Sequence, residues 1–582
     1  MLLRDQSERE RGLLFAGNLL LHVLILSLFP DYPQTNLTLF VGQVEYYWPP
    51  NITFEGSQVR IHYNMRKRHL RKPAKLAALL ALAFALAWAA AAQTQWAAPD
   101  AAEFNRFQNE ASQHSHIMEV MGYLTDVYGP RLTNSPNIRE AGDYAVKTLS
   151  AWGLANVHEE TWGPFGRGWS SEIFEANEIA PRHFPLIAYP KAWTPGTNGP
   201  VTADAMYAKI EREEDFAYYR GRLRGMVVLT APLRVIEAQF EALAHRYTDQ
   251  ELADLAQPRP PQPAPDKAGR DRQRKQQEFN EKLVKFLTDE GAVAWLEPAP
   301  HDGGTITVMS GGSRNPNDAP VLPRVAVDAE HYGRILRTLE KNIPVTLRIN
   351  IANKFYDDNL DSFNILAEIP GTDKADEVVM LGAHFDSWAS GSGATDNAAG
   401  SAVTMEAMRI LKACNAKMRR TVRLALWTGE EEGLLGSRAY VMQHFADRNS
   451  GDLKPDHARL SAYFNVDNGT GKIRGIYLQE NEALRPIFEK WMEPFKSDGM
   501  ATLSARGTGG TDHVSFDEVG LPGFQFIQDP IEYETRTHHT NMDVYERIQA
   551  ADLKQMAVIV ASFVYMTGNA DQLLPRKQMS KR

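Results

Sequence analysis

Five short stretches of this 582-residue chain combine residue types that bind divalent metals or move protons. They are His384-Phe385-Asp386, Asp396, the run Glu430-Glu431-Glu432-Gly433, Asp467 and His539. Each stands at the end of an apolar run that reads as a buried strand, or just ahead of a helix behind one. His384 follows Glu377–Leu381, Asp396 precedes the helix from Ser401, and Glu430 follows Val422–Trp427; Asp467 follows Ala462–Val466, and His539 lies beyond Phe524–Ile527. Singly, each has an ordinary explanation: Asp396 as a helix cap, Asp467-Asn-Gly as a turn. Jointly they gather carboxylates and two imidazoles on one rim, where the acids would repel one another unless a cation neutralised them. A pair of divalent ions does that. Histidines and carboxylates without clustered cysteines suit zinc or a similar first-row ion rather than an iron–sulfur cluster. The glycine-rich loop Ala389–Ala394 lacks the lysine of a phosphate-binding loop and reads as a segment that lets Asp396 approach the ions.

The elements that must position these residues begin near Val345, where strand and helix patterns alternate. Phe363–Ile369, Glu377–Leu381, Val422–Trp427, Ala462–Val466 and Phe524–Ile527 read as strands, with helices over Ser401–Ala413, Gly436–His444, Ala483–Lys496 and Ala551–Met566. The fold class is α/β: a mixed central sheet with helices on both faces, with ligands bound beyond the carboxyl ends of its strands. Upstream, Glu103–Leu154 has helical spacing broken by the turn Tyr128–Leu132, and Arg131 and Ser135 read as parts of that connection. Between Lys191 and Pro344 the β-type runs Met226–Thr230, Ala292–Trp295 and Arg324–Val327 indicate a small β-rich domain. Within it, the charged and proline-rich stretch Leu233–Asp289 reads as helices joined by an exposed linker.

A composition of 43% hydrophobic and 23% charged residues excludes a disordered or collagen-like chain. The net charge of −9 supplies no basic field, so nucleic acid is not an expected partner. A single cysteine, Cys414, excludes an intramolecular disulfide and is given no role. Residues 65–92 run from a basic cluster through an Ala/Leu-rich stretch to small residues, the pattern of a secretory signal peptide cleaved after Ala92. The expected product is exported, periplasmic or secreted, with no stable membrane anchor after cleavage. Residues 1–64 hold a second apolar run, Leu13–Phe29, whose flanking charges oppose the positive-inside rule, and they read as a spurious extension from an upstream start. The catalytic domain then divides into 93–190 and 345–582 around a β-rich domain at 191–344, itself interrupted at 233–289.

The segments GAHFDSW (Gly382–Trp388), GATDNAAG (Gly393–Gly400), WTGEEEGLLGS (Trp427–Ser437), FNVDNG (Phe464–Gly469) and HHTNMD (His538–Asp543) resemble the motifs of the M28 family of co-catalytic zinc peptidases. The doublet His538-His539 and the terminal LLPRK (Leu573–Lys577) are similar to that family's carboxypeptidase Q branch. The resemblance implies that Asp396 bridges two zinc ions, that His384 and Asp467 complete one, and that Glu431 and His539 complete the other. It implies Glu430 as general base and Asp386 as the carboxylate that orients His384. His538 and Tyr533 become candidate donors to an oxyanion, and His513 a candidate pocket residue. The 191–344 region resembles the protease-associated domains inserted in many such enzymes. The function implied is that of a zinc-dependent exopeptidase acting on short peptides, as an aminopeptidase or dipeptidase. A glutamate-type carboxypeptidase is the alternative. A metal-free receptor and a glutaminyl cyclase rank below it, because all the ligand positions are filled and the inserted domain is present.

Overall fold

The structure, a computed structural model, describes residue 96, residues 100–259 and residues 267–577. It also describes three two-residue strands, Leu39–Phe40, Phe54–Glu55 and Gln58–Val59, which pair antiparallel among themselves. Apart from these strands, the expected extension at 1–64 and signal peptide at 65–92 lie outside the described residues. The strands belong to a unit spanning Met1–Ala90, and the elements below to a second unit, Ala91–Arg582.

The sheet that carries the chemistry has eight strands: β1 (Ala155–Trp162), β2 (Ser362–Ile369), β3 (Lys374–His384), β4 (Arg420–Trp427), β5 (Leu460–Asn465), β6 (Ile473–Tyr477), β7 (Thr502–Ser504) and β8 (Gly523–Gln528). Their order is β7-β6-β8-β5-β3-β4-β2-β1. The central four, β8, β5, β3 and β4, are parallel, whereas β1 and β2 join one side antiparallel and β6 runs antiparallel to β8 on the other. Parallel strands need cover on both faces, which is why β4 and β5 are buried almost throughout instead of alternating.

One face is covered by helices α1 (Ala101–Gln113), α2 (Pro136–Ala151), α3 (Ala399–Ala413) and α5 (Ala550–Asn569), which share a core with Phe363, Leu381, Leu424, Phe464 and Phe524. Helix α4 (Leu435–His444) and the short helix His513–Asp517 close the other face around Trp427, Tyr440, Tyr463 and Phe516. Helix α3 is buried nearly all round, so its acid Glu406 is answered by Arg409 at 2.8 Å. Ser135 caps α2 by accepting from the Ile138 N–H, and Pro136 follows at the first helical position, so its role is that of a helix start.

A second eight-stranded sheet runs in the order Phe184–Pro185, Gly168–Ala180, Thr346–Tyr356, Val201–Tyr207, Val227–Leu229, Ala294–Pro298, Arg324–Val327, Ala188–Pro190. Its membership reaches past the expected 191–344 segment on both sides, because Gly168–Ala180 and Thr346–Tyr356 pair along most of their length as an antiparallel ribbon. These strands mix exposed and buried positions, with Ile173 open to solvent, so they lack the continuous apolar run that marks the central strands. The charged stretch 233–289 contains the expected helices, Asp249–Ala256 and Lys267–Asp289; most of the proline cluster between them lies outside the described residues. No helix among the described residues is long and apolar enough to cross a membrane.

Candidate metal centre

The carboxyl ends of β3, β4 and β5 and the segment after β8 bring the expected residues together. His384 is the last residue of β3, and its main-chain carbonyl is pinned by the Ser401 hydroxyl at 2.7 Å, so the imidazole leaves the sheet in a fixed direction. Its Nε2 lies 3.1 Å from Asp396 Oδ1 and 3.4 Å from Asp467 Oδ1. His539 Nε2 lies 3.3 Å from the other oxygen of Asp396, Oδ2, and 3.0 Å from Glu431 Oε2. Asp396 therefore stands between two half-sites, one oxygen toward each imidazole.

Asp396 is held from behind. Its own N–H and that of Thr395 donate to the two oxygens of Asp543, at 3.1 and 2.6 Å. The adjacent Asn397 amide donates to the Val466 carbonyl at 2.9 Å, tying the Asp396 turn to the end of β5. Glycine is required at position 400, where a Cβ would come within 2.1 Å of that same Val466 carbonyl.

Asp386 meets His384 through its main chain, and its carboxylate is turned elsewhere. The His384 Nδ1 lies 3.1 Å from the Asp386 main-chain oxygen and 3.6 Å from its carboxylate. That carboxylate accepts instead from the N–H groups of Glu430 and Glu431, both at 3.3 Å, and from the Thr133 hydroxyl at 3.0 Å. It thus couples the β3 and β4 ends.

Three carboxylate oxygens in this group, Asp396 Oδ2, Glu431 Oε1 and Asp467 Oδ1, are buried and accept no hydrogen bond. Buried charged oxygens are not left unpaired without cost. Four side-chain oxygen and nitrogen donors around a shared carboxylate is the donor set of a divalent pair, and the residues fit one. The acid–base balance tells the same story. Burial pushes the Glu430 carboxyl well above the usual carboxylate range and Glu431 up to about 7. Burial opposes protonation of His539, but the facing Glu431 and Asp396 hold its imidazole up to about 11.

Of the candidate substrate contacts, His538 is partly exposed, with Nε2 3.9 Å from Asp396 Oδ2. Tyr533 is buried and stacks on the His538 ring, centroids 4.7 Å apart. His513 is fully buried with Nε2 against the Thr508 carbonyl at 3.1 Å, and burial holds it down to about 4. It forms no hydrogen bond or ion pair with the five-residue group, although Asp467 acts on it electrostatically.

Two residues without an assigned role complete the site. Arg131 is fully buried and its guanidinium donates to the carbonyls of Leu124, Phe385, Ser392 and Gly393, stitching both flanks of the loop between His384 and Asp396. Asp543 ends the HHTNMD motif and carries Asp396. Its place in that motif was the one available signal; for Arg131 the sequence offered only a charged residue in an otherwise apolar turn.

The segment 529–541, which carries His538 and His539, is gripped by the insertion on two sides. Val308 N–H donates to the His539 carbonyl and Asn541 N–H to that of Ile306, at 3.2 and 3.1 Å. His245 and Ile531 exchange main-chain hydrogen bonds at 2.8 Å, while Arg246 bridges Asp529 and Asp552 at 2.9 and 2.7 Å.

Residues 364–564 match peptidase family M28. Mouse carboxypeptidase Q is 25% identical over 482 residues, which is 82% of this chain and 89% of that protein. A probable leucine aminopeptidase 2 from Arthroderma benhamiae is 32% identical over 207 residues, 33% of this chain and 39% of its own. Among solved structures, a peptidase M28 precursor from Shewanella amazonensis shares the fold, with a TM-score of 0.58 at 22% identity over 82% of this chain and 98% of that one.

Proposed function

We propose that this chain, whose residues 364–564 match peptidase family M28, is a metallopeptidase and more finely a zinc-dependent exopeptidase that removes residues from the amino end of short peptides, as an aminopeptidase or dipeptidase. The observation that carries this reading is Asp396, buried between His384 and His539 with one oxygen toward each. In this reading His384 and Asp467 hold one ion, Glu431 and His539 hold the other, and Asp396 spans both. The ions, when bound, supply Lewis acidity that brings the pKa of a water near neutrality and offsets negative charge developing on the carbonyl oxygen.

The chain's own groups do the rest. Glu430 accepts the proton of the attacking water and returns it to the leaving amine, the work of a general base whose pKa burial raises above the usual carboxylate range. Asp386 fixes the main chain under Glu430, so that the base does not drift from the attacked carbon. His538, stacked on Tyr533 and open on one side, offers Nε2 to the tetrahedral oxyanion, with Tyr533 as the second candidate donor. The inserted β-rich region resembles a protease-associated domain and walls the site. Export through residues 65–92 belongs to the same reading.

A carboxypeptidase is the second reading, favoured by the name of the mouse relative that covers most of this chain. One experiment separates them. Zinc-supplied protein beginning near Gln93 is given an unblocked dipeptide and the same dipeptide acetylated at its amine. Chelator-sensitive cleavage of the free-amine form alone is the expected result; preference for the acetylated form would establish the carboxypeptidase reading instead.

A further inference from the structure

His384 and Asp396, whose side chains stand 3.1 Å apart, are joined by a loop of flexible composition, with Ser387, Ser390, Gly391, Ser392 and Gly393 among its residues. Bringing the ends of such a loop together costs chain entropy, so something must hold its two flanks. Arg131 does, from a turn more than 250 residues earlier in the chain. Its Nε donates to the Phe385 carbonyl at 2.8 Å, beside His384. Its Nη1 and Nη2 donate to the Ser392 and Gly393 carbonyls at 2.9 and 3.0 Å, on the Asp396 side. Nη1 also donates to the Leu124 carbonyl at 2.7 Å, which ties both flanks to the helical turn Tyr123–Val127. The main chain adds a second fastening: Arg131 N–H donates to the Ser387 hydroxyl at 3.0 Å, and the Arg131 carbonyl accepts from Ser387 N–H at 3.1 Å. The approach is close enough that a Cβ at Gly393, where φ is 65°, would fall 2.3 Å from the Ser387 Cβ.

Only arginine suits this place. Its planar fork carries enough N–H groups to hold four carbonyls at once, whereas a lysine ammonium is a compact point donor that cannot serve both flanks in one plane. Arg131 is wholly buried, and a buried cation is costly unless negative charge answers it. Burial draws the guanidinium down to about 10, while Asp543, Asp386, Asp396 and Glu431 support its charge, so it stays cationic at neutral pH. The side chain is therefore positioned by the acids of the centre, and in turn holds the loop that carries two of its ligands.

We propose that Arg131 is a positioning residue for the metal centre: its fork clamps the flanks of the 385–393 loop, so that His384 and Asp396 stand at ligand spacing before an ion enters. This rests on the metallopeptidase reading and adds to it the source of the order in the site. The rival arrangement is a loop that the ion itself organises, with Arg131 as one more buried side chain. The two differ in the metal-free protein, where a clamp made of main-chain carbonyls and a guanidinium persists and an ion-made loop does not.

The test uses the full chain, stripped of metal and titrated with zinc. In the unaltered protein the amides of Ser387 and Ser392, bonded to the Arg131 and Asp543 carbonyls, should exchange slowly without zinc, and zinc should slow them by less than about threefold. Slowing by threefold or more would show that the ion organises the loop and would overturn the proposal; this measurement needs no variant. Arg131→Lys keeps the charge and removes the fork. In it the same two amides should exchange about tenfold faster without zinc, and zinc affinity by calorimetric titration should fall about 10- to 100-fold. At saturating zinc its KM for an unblocked dipeptide should stay within twofold, while the zinc concentration that gives half-maximal kcat rises in step with the lost affinity. A merely structural role would lower the melting temperature of the metal-free protein and leave zinc affinity within threefold, and that result also overturns the proposal. Unaltered protein that binds no zinc is a separate outcome, which refutes the metallopeptidase reading itself.

Discussion

Glu430 is set apart from the acids around it by what it does not touch. Asp396, Glu431 and Asp467 each approach an imidazole Nε2 within 3.4 Å, whereas Glu430 pairs with neither and is free to exchange a proton. Replacing it by glutamine keeps the shape and the Asp386 anchor of its N–H. Glu430→Gln is therefore expected to retain metal and lose about 10²–10⁴-fold in kcat. Asp396→Ala removes the carboxylate common to both half-sites and is expected to lose metal and turnover together. Plasma emission spectrometry of the metal-to-protein ratio, beside steady-state rates, separates the two; a Glu430→Gln protein with near-normal turnover would show that another group takes the proton. His384, Glu430 and Asp467 were legible in the sequence because each stands at or just past the end of an apolar strand, and a strand end fixes direction as well as place. Asp396 and His539 sit on segments beyond a strand and were legible by residue type and motif. Arg131, Asp543 and the larger part of Asp386's work were not. Their partners are main-chain N–H and C=O groups, some of them more than 100 residues distant, and a sequence displays side-chain types, not the backbone groups that folding brings to them.

Residues 245–246 and 306–308 act on the site from outside its sheet, through the two grips they place on 529–541. Asp529 is fully buried and takes hydrogen bonds from Arg246 and Arg474 at 2.9 and 2.8 Å, so the Arg246 grip is closed by a buried charge. Arg246→Met keeps the length of the side chain and deletes the cation; with Arg474 still in place the cost is expected to be about 1–3 kcal/mol, below the ~3–5 that fully breaking a buried pair entails. The loosening should be felt at His539. We expect faster hydrogen exchange of the 531–541 amides and zinc binding weakened by about 10-fold or more, as for loss of a supporting contact behind a metal ligand. Unchanged zinc affinity by calorimetric titration would mean that the 304–308 grip alone fixes the loop. Both helices of the 233–289 stretch were readable from their patterning, and Thr248 with Glu251 forms a capping box at the start of one. Its role was not, because the contacts that define it are long-range pairings of single residues such as His245 with Ile531. The extent of the second sheet was hidden for a related reason: Gly168–Ala180 and Thr346–Tyr356 stabilise each other as a half-exposed ribbon, and neither contains the apolar run of a buried strand.

At the scale of the whole molecule, two clusters of buried acid make stability depend on conditions. In the second sheet, burial and the neighbouring Glu330 push Asp328 up to about 7, while burial keeps His331 below its usual range. Below about pH 7 the uncharged form of Asp328 therefore predominates in the 2.6 Å contact between them. From the ordinary carboxyl pKa of 3.8 up to about 7, the unfolded chain releases a proton that folded Asp328 retains, so its contribution to stability falls as pH rises through that window and is lost above it. Asp328→Asn should melt higher than the parent at pH 8, with the gap closing toward pH 4; parallel melting curves across the range would refute this. The metal centre is the larger store. Asp396, Glu431 and Asp467 present unpaired buried oxygens, and an ion that binds the folded state alone stabilises it by about 4 kcal/mol when present at a thousand times its Kd. Chelation should therefore lower the melting temperature, and zinc should restore it in step with activity. The decrease should be smaller at lower pH, where the raised carboxyls of Glu430 and Glu431 accept protons and stop repelling their neighbours. A protein stripped of metal that melts where the loaded one does would mean that the imidazoles already balance the acids, and that the ions contribute to turnover without contributing to the fold.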